Sequence, residues 1–157
     1  MLSIKKIDDV ALSDILSLSV HECQLPYVGT IESLINKGTK GSYFHVLVLD
    51  DEVVGLFIVE TDYDKNYEFL LREDLHLAIF FIDKRFQGQG LGKKSCSLLY
   101  PYLRENFPDY DSIVLTVNCN NTGAYKCYIS SGFNDTMQFY HGGPTGPQHI
   151  MRLRLRS

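Results

Sequence analysis

Residues 80–94 read FFIDKRFQGQGLGKK, and this stretch joins an apolar run to a turn that holds three closely spaced glycines. The apolar run covers residues 75–82 and is typical of a strand that is covered on both faces. Glycines allow tight backbone geometry and the close approach of a ligand. The N–H groups at a helix start carry partial positive charge. The stretch therefore predicts a strand, a turn and a helix start suited to binding a phosphate or pyrophosphate.

The spacing of the glycines excludes two common nucleotide-binding motifs. A dinucleotide fingerprint needs the pattern G-x-G-x-x-G, but the third glycine of residues 88–92 comes too early. A phosphate loop of the nucleotide triphosphatases needs Gly-Lys followed by Ser or Thr, and residues 92–94 read Gly-Lys-Lys. The pattern that remains is Gln-x-x-Gly-x-Gly, at Gln87, Gly90 and Gly92.

Before this stretch, hydrophobic periodicity predicts a strand, two helices and a hairpin. A short alternating strand opens the chain, and Asp8 or Asp9 is expected to cap the helix that follows. Thr30 is expected to cap a second short helix. The apolar runs at residues 43–49 and 53–59 flank a polar turn, which is typical of an antiparallel hairpin.

After this stretch, the pattern predicts a helix, a strand, a short helix and two strands. Pro101 should kink or end the first helix, because proline lacks the N–H that a helix interior needs. In the last strand, arginines alternate with apolar residues over 151–156, and we expect these arginines to face solvent or another subunit. The predicted order is β-α-α-β-β-β-α-β-α-β-β, an α/β (α+β) fold in which helices pack against a mixed, mostly antiparallel sheet.

The composition agrees with a single globular domain over residues 1–157. Hydrophobic residues make up 45% of the chain and charged residues 22%, close to globular averages. The net charge of −4 disfavours a nucleic-acid partner. The start of the chain does not read as a signal peptide, and no apolar run is long enough to span a membrane. We therefore expect a cytoplasmic protein with reduced thiols.

Two motifs resemble the GNAT N-acetyltransferase superfamily. Residues 87–92, after an apolar strand, resemble its acyl-coenzyme A loop. The pattern Asn121-x-x-Ala124-x-x-x-Tyr128, followed by Gly132-Phe133, resembles its downstream helix. The resemblance implies a GNAT-like fold, acetyl-coenzyme A as co-substrate and a homodimer.

A closer resemblance is to bacterial polyamine (spermine/spermidine) acetyltransferases. Residues 24–27, 80–83 and 86–94 look like parts of those proteins, whereas residues 142–149 depart from their pattern. The departure bears on the polyamine assignment.

The family resemblance also implies roles for individual residues. Tyr128 would donate a proton to the leaving thiolate, its alternative being a packed aromatic side chain at helical spacing. Asn121 would contact the coenzyme, cap its helix, or both. The residues implied to bind the coenzyme are Phe81, Ile82, Gln87, Gly88, Gln89, Gly90, Leu91, Gly92, Lys93, Asn121 and Ala124.

The general base has two equal candidates. His76 is the only titratable group in the core of the 75–82 strand, and an imidazole with a pKa near the free value of about 6.5 can accept a proton at neutral pH. Glu60, at the end of the preceding strand, is the other candidate, and a solvent-mediated route without a dedicated base stays open. The acceptor side is expected to include Glu22, Tyr27 and Glu60, and the carboxylates of Glu22 and Glu60 would attract a cationic amine.

These patterns predict an acetyl-coenzyme A-dependent transferase that acts on a primary amine, most simply a small cationic one. A protein or peptide amino group is an alternative acceptor, and a non-catalytic acyl-coenzyme A-binding module is an alternative function. No metal is expected: residues 62–73 resemble a calcium loop, but Tyr67 stands where an EF-hand needs glycine. Cys127 is expected to be a buried, inert packing residue of its helix.

Overall fold

The computed structural model describes residues 1–19, 41–61, 68–142 and 146–156. Within them, seven strands form one sheet in the order β1-β2-β3-β4-β5-β7-β6, in which only the β4–β5 pair is parallel. The strands are β1 (Leu2–Lys6), β2 (Ser42–Leu49), β3 (Glu52–Glu60), β4 (Asp74–Ile82), β5 (Ser112–Asn118), β6 (Asn134–Tyr140) and β7 (Gln148–Arg154). The described helices are α1 (Leu12–Leu16), α2 (Leu91–Asn106) and α3 (Thr122–Ser130). The predicted mixed, mostly antiparallel α/β fold is confirmed.

Strand β4 is buried on both faces of the sheet, as its apolar sequence predicted. Leu75 and Leu77 belong to the core under α2 and α3, whereas Phe81 belongs to the core that contains Ile15 of α1. Successive strand residues point to opposite faces, so His76 lies on the α1 face of the sheet. This division of faces sets the two sides of the candidate site.

Strands β4 and β5 are paired only where they begin. The last parallel pair is His76 with Val114, although β4 continues to Ile82 and β5 continues to Asn118. On its other edge β4 stays paired with β3, with an extra residue, Ala78, between the partners of Ile58 and Val59. Such a bulge bends its strand. The two parallel strands therefore part and leave a wedge between them.

Two expectations about helix ends differ from the structure. Helix α1 begins at Leu12, and Ala11 at its N-cap provides no side-chain hydrogen bond; Asp8 and Asp9 lie in a preceding 3₁₀ turn instead. Pro101 does not end α2, which continues to Asn106. Proline removes one hydrogen bond of a helix, and the fully buried Leu99 and Leu103 hold α2 against the sheet on both sides of it. The helix predicted after Thr30 lies outside the described residues.

Two of the three arginines near the end of the chain are partly exposed and also bind groups within the chain, which the sequence did not predict. Arg152 Nη1 donates to Oδ1 of the buried Asp74 at 2.5 Å. Arg156 donates to the carbonyls of Arg104, Phe107 and Pro108 at the end of α2, at 2.7, 3.1 and 2.9 Å. A cation is favourable where a helix exposes its last carbonyls. Among the three arginines, only Arg154 is exposed.

In the described part of the chain, no helix is long and apolar enough to cross a membrane. Among the described residues, no group of three His, Cys, Asp or Glu side chains lies close enough together to hold a metal ion. The expected single domain over residues 1–157 stays a prediction.

Candidate active site

A cleft of about 390 Å³ opens where β4 and β5 part. Its walls are the end of β4, the glycine turn, the start of α2 and one side of α3. Tyr128 lines the cleft, and so does every residue that the sequence predicted for coenzyme binding except Gln89. Sequence reasoning missed four lining residues: Phe80, Cys96, Gly123 and Cys127. Helical spacing could have found Cys96, four residues after Gly92, because such residues share a helix face.

The glycine turn leaves the start of α2 open to a ligand. Gly88 and Gly90 have φ angles of 81° and 77°, in the left-handed region that favours glycine. Gly90 is the N-cap of α2, and no side chain caps this helix start. A Cβ atom at either glycine would meet nothing within 4 Å. The first N–H groups of α2 therefore border open space, as an anion-binding helix start requires.

Side chains of the turn itself hold it in this shape. Gln87 Nε2 donates to the carbonyl of Ile82 at 2.7 Å, which ties the turn back to β4. Asp83 is fully buried, and its carboxylate accepts from the Arg85 backbone N–H at 2.9 Å, Arg85 Nε at 2.8 Å and the Ser19 backbone N–H at 2.8 Å. Burial alone would raise the pKa of Asp83, but the hydrogen bonds from Arg85 and Ser19 outweigh it and lower that pKa.

Replacing Asp83 by Asn is expected to lower the free energy of unfolding by about 2 to 3 kcal/mol at pH 7, because the buried charge is lost and one accepting oxygen becomes an NH₂ group that faces an N–H donor. The folded-state pKa of Asp83 is depressed, so its contribution is present above the ordinary aspartate pKa and is lost as the pH falls through the folded value. Denaturant unfolding from pH 7 down to pH 3 should show the gap between wild type and Asp83→Asn closing in acid. The exposed Asp109 provides a control, Asp109→Asn, that should show no gap. A gap that does not depend on pH would contradict the charged role of Asp83.

Tyr128 is an aromatic side chain of the core that also lines the cleft. It is 7% exposed, and its ring packs edge-to-face on Phe80 and Phe133, with centroids 6.2 and 5.4 Å apart. Burial, and then the neighbouring Cys96 and Cys127, raise the pKa of the Tyr128 phenol well above its ordinary value. The phenol therefore keeps its proton at neutral pH.

The two cysteines beside Tyr128 differ in exposure. Cys96 is buried, and burial raises the pKa of its thiol to about 12, so it stays protonated and inert. Cys127 is partly exposed and lines the cleft. The prediction that Cys127 is buried is therefore wrong.

Glu60 and His76, rival candidates in the sequence, form one pair. They are opposite each other across β3 and β4, and Glu60 Oε1 lies 2.8 Å from His76 Nδ1. His76 is 5% exposed. A carboxylate at this distance selects the tautomer with the proton on Nδ1, which makes Nε2 the basic nitrogen. The pair lies on the α1 face of the sheet, whereas Tyr128 packs in the core of the opposite face.

The remaining predicted positions divide into two groups. Asn121 is the N-cap of α3, and its side chain accepts from the Ala124 N–H at 3.3 Å, so the helix-cap alternative is confirmed. Asn121 also borders the cleft. Glu22 and Tyr27 lie outside the described residues, as do Tyr67 and the first part of the calcium-like loop.

Comparison with known proteins places the chain in a family. The model of the Acetyltransferase (GNAT) family matches residues 11–133. The chain belongs to the GNAT family. The resemblance seen in the sequence is therefore confirmed, and so is the expectation of an acetyltransferase.

Relatives of this GNAT protein agree with the assignment. It is 29% identical, over 136 residues, to the spermine/spermidine N(1)-acetyltransferase of Bacillus subtilis (strain 168), covering 84% of this chain and 87% of the relative.

Among solved structures, the aminoglycoside acetyltransferase AAC(6')-Ib in complex with coenzyme A and kanamycin has a TM-score of 0.74 at 16% identity, covering 98% of this chain and 95% of that one. The ribosomal-protein-S18-alanine N-acetyltransferase of Escherichia coli has a TM-score of 0.70 at 18% identity, covering 100% and 96%. At these identities the structures show a shared fold.

Proposed function

We propose that this GNAT protein transfers the acetyl group of acetyl-coenzyme A directly to a primary amine, and that the amine is small and cationic. The observation that carries the proposal is the wedge between β4 and β5. An open helix start lies at one end of it, a protonated tyrosine lines its wall, and the Glu60–His76 pair lies on the opposite face of the sheet.

The wedge suits the shape of the coenzyme. The pyrophosphate would accept hydrogen bonds from the N–H groups of residues 88–93, with Lys93 adding positive charge. Beyond His76, β4 no longer pairs with β5. The amides of the pantetheine arm would take hydrogen-bonding positions at Phe81 and Ile82, as an added strand does.

The residues supply both proton transfers of the reaction. His76 Nε2 would take the proton of the ammonium group, with Glu60 stabilising the imidazolium that forms. The neutral nitrogen then attacks the thioester carbonyl, the C–N bond forms and the C–S bond breaks. Tyr128 would give its proton to the departing thiolate, and the proton that the new amide nitrogen releases would restore the phenol through solvent. His76 would return its own proton to solvent. Because the thioester is already activated, holding the reactants in contact contributes most.

Three observations favour a small cationic acceptor. The Glu60 carboxylate is beside the proposed base, the chain carries a net charge of −4, and one relative is named for spermine and spermidine. A protein amino group remains the alternative acceptor, and the fold shared with a ribosomal-protein acetyltransferase is its support. A cytoplasmic location and a homodimer are part of the same proposal.

Replacing His76 by Ala is expected to lower kcat/KM about a hundredfold at pH 7, because a positioned base is lost. The loss should shrink as the pH approaches the pKa of the amine, since an amine that is already neutral needs no base. Steady-state rates from pH 6 to pH 10 test this. Glu60→Gln should show the same trend with a smaller loss. A deficit of His76→Ala that stays constant over this range would remove His76 as the base.

The function itself is tested by thiol release from acetyl-coenzyme A with a panel of amines. The panel holds spermidine, spermine, diamines, aminoglycosides, amino acids and lysine peptides. We expect release with the small cationic amines. Release with lysine peptides alone would favour the protein acceptor. Tight coenzyme binding without release on any amine would favour a non-catalytic binding module.

A further inference from the structure

A second cavity, of about 620 Å³, lies on the same side of the sheet as His76. Ile150 of β7 lines this cavity and faces away from the core under α2 and α3, to which its neighbour Met151 belongs. Phe69 lines the cavity as well. The Phe69 ring packs edge-to-face on His76, with 6.4 Å between the centroids. The cavity therefore begins one aromatic ring away from the proposed base.

The cavity wall around Phe69 is aromatic and acidic. The Tyr140 ring lies with its centroid 5.5 Å from that of Phe69, at an interplanar angle of 66°. Glu68 directly precedes Phe69 in the chain, and its exposed side chain lines the same wall. A ring face attracts an ammonium group within about 6 Å of its centroid, and a carboxylate adds charge attraction. This wall suits an organic cation that has an apolar stem.

We infer that this cavity binds a second ammonium group of the acceptor, so that linear diamines and polyamines are the preferred acceptors. The inference rests on the proposed function, because it places the reacting amine at Glu60 and His76. The Phe69 and His76 ring centroids are 6.4 Å apart, a separation that a short alkyl chain between two nitrogen atoms can span. A monoamine leaves this position empty.

The test compares putrescine, a four-carbon diamine, with butylamine, a four-carbon monoamine. In the wild type, kcat/KM for putrescine should exceed that for butylamine by about tenfold or more. Phe69→Leu should lower this ratio about three- to tenfold, whatever change in the butylamine rate follows from the loss of its ring contact with His76. Phe69→Trp keeps an aromatic face and should keep the ratio.

Phe139→Leu provides a matched control. Phe139 is a half-exposed aromatic residue of the same cavity, and its ring contacts His141 and His149 rather than His76. This variant should keep the wild-type ratio.

Three results would overturn the inference and leave the proposed function standing. The first is equal wild-type rates with the two amines. The second is an unchanged ratio in Phe69→Leu with both rates retained, and the third is the same unchanged ratio with both rates lowered equally, which would mean that Phe69 only supports His76. Turnover of no amine by the wild type would instead overturn the proposed function, and the inference with it.

Discussion

Gly90→Glu is expected to abolish coenzyme binding. Gly90 begins α2 with a φ of 77°, and a side chain there enters open space at the cleft. The new carboxylate would meet the pyrophosphate. Two unit charges about 4 Å apart repel by about 4 kcal/mol at an effective dielectric constant of about 20. That energy corresponds to nearly a thousandfold in Kd, which titration calorimetry with coenzyme A measures directly.

Gly90→Gln separates charge from backbone strain. Its side chain has nearly the volume of Glu and imposes the same left-handed backbone, which costs a residue with a Cβ about 1–2 kcal/mol. Even if all of this strain weakened binding, the loss in affinity would be about 5- to 30-fold, far below the loss expected for Glu. Thermal unfolding of both variants checks that they fold. Equal affinities of the Glu and Gln variants would remove the glycine turn as the pyrophosphate site.

Tyr128→Phe is expected to lower kcat about 10²- to 10³-fold, because a positioned proton donor is lost. Coenzyme affinity should stay nearly unchanged, since the ring that packs on Phe80 and Phe133 is retained. Single-turnover rates and calorimetry measure the two quantities separately.

Tyr125→Phe is the control for this prediction. Tyr125 lies one turn earlier on α3, and its hydroxyl donates to Asp135 Oδ2 at 2.8 Å. It does not line the cleft in the described structure. A Tyr128→Phe enzyme as fast as wild type at every pH would exclude Tyr128 from the mechanism.

The coenzyme side of the site could be predicted from local sequence. Glycine spacing and an apolar strand are short-range signals, and they predicted the turn that contains the positive-φ residues Gly88 and Gly90. The helix cap at Asn121 is equally local, because one side chain bonds an N–H three residues later. Features of this kind do not depend on how distant segments meet.

The Glu60–His76 pair could not be predicted, because it depends on register. Without the extra residue at Ala78, Glu60 would be opposite Leu77, and a one-residue shift turns a side chain to the other face of a sheet. The bulge brings Glu60 opposite His76 instead. The partners of Arg152 and Arg156 could not be predicted either, because Asp74 and the end of α2 are remote from these arginines in the chain.

Because β4 and β5 part, the stability of the contact between the two halves of the sheet also depends on what occupies the wedge. A ligand that binds only the folded chain stabilises it by about 2.7 kcal/mol at a hundredfold excess over Kd. Occupancy of the wedge is thereby linked to global stability, and the melting temperature becomes a turnover-independent sensor of the coenzyme. Protein prepared without coenzyme would then unfold at a lower temperature than the coenzyme-bound protein.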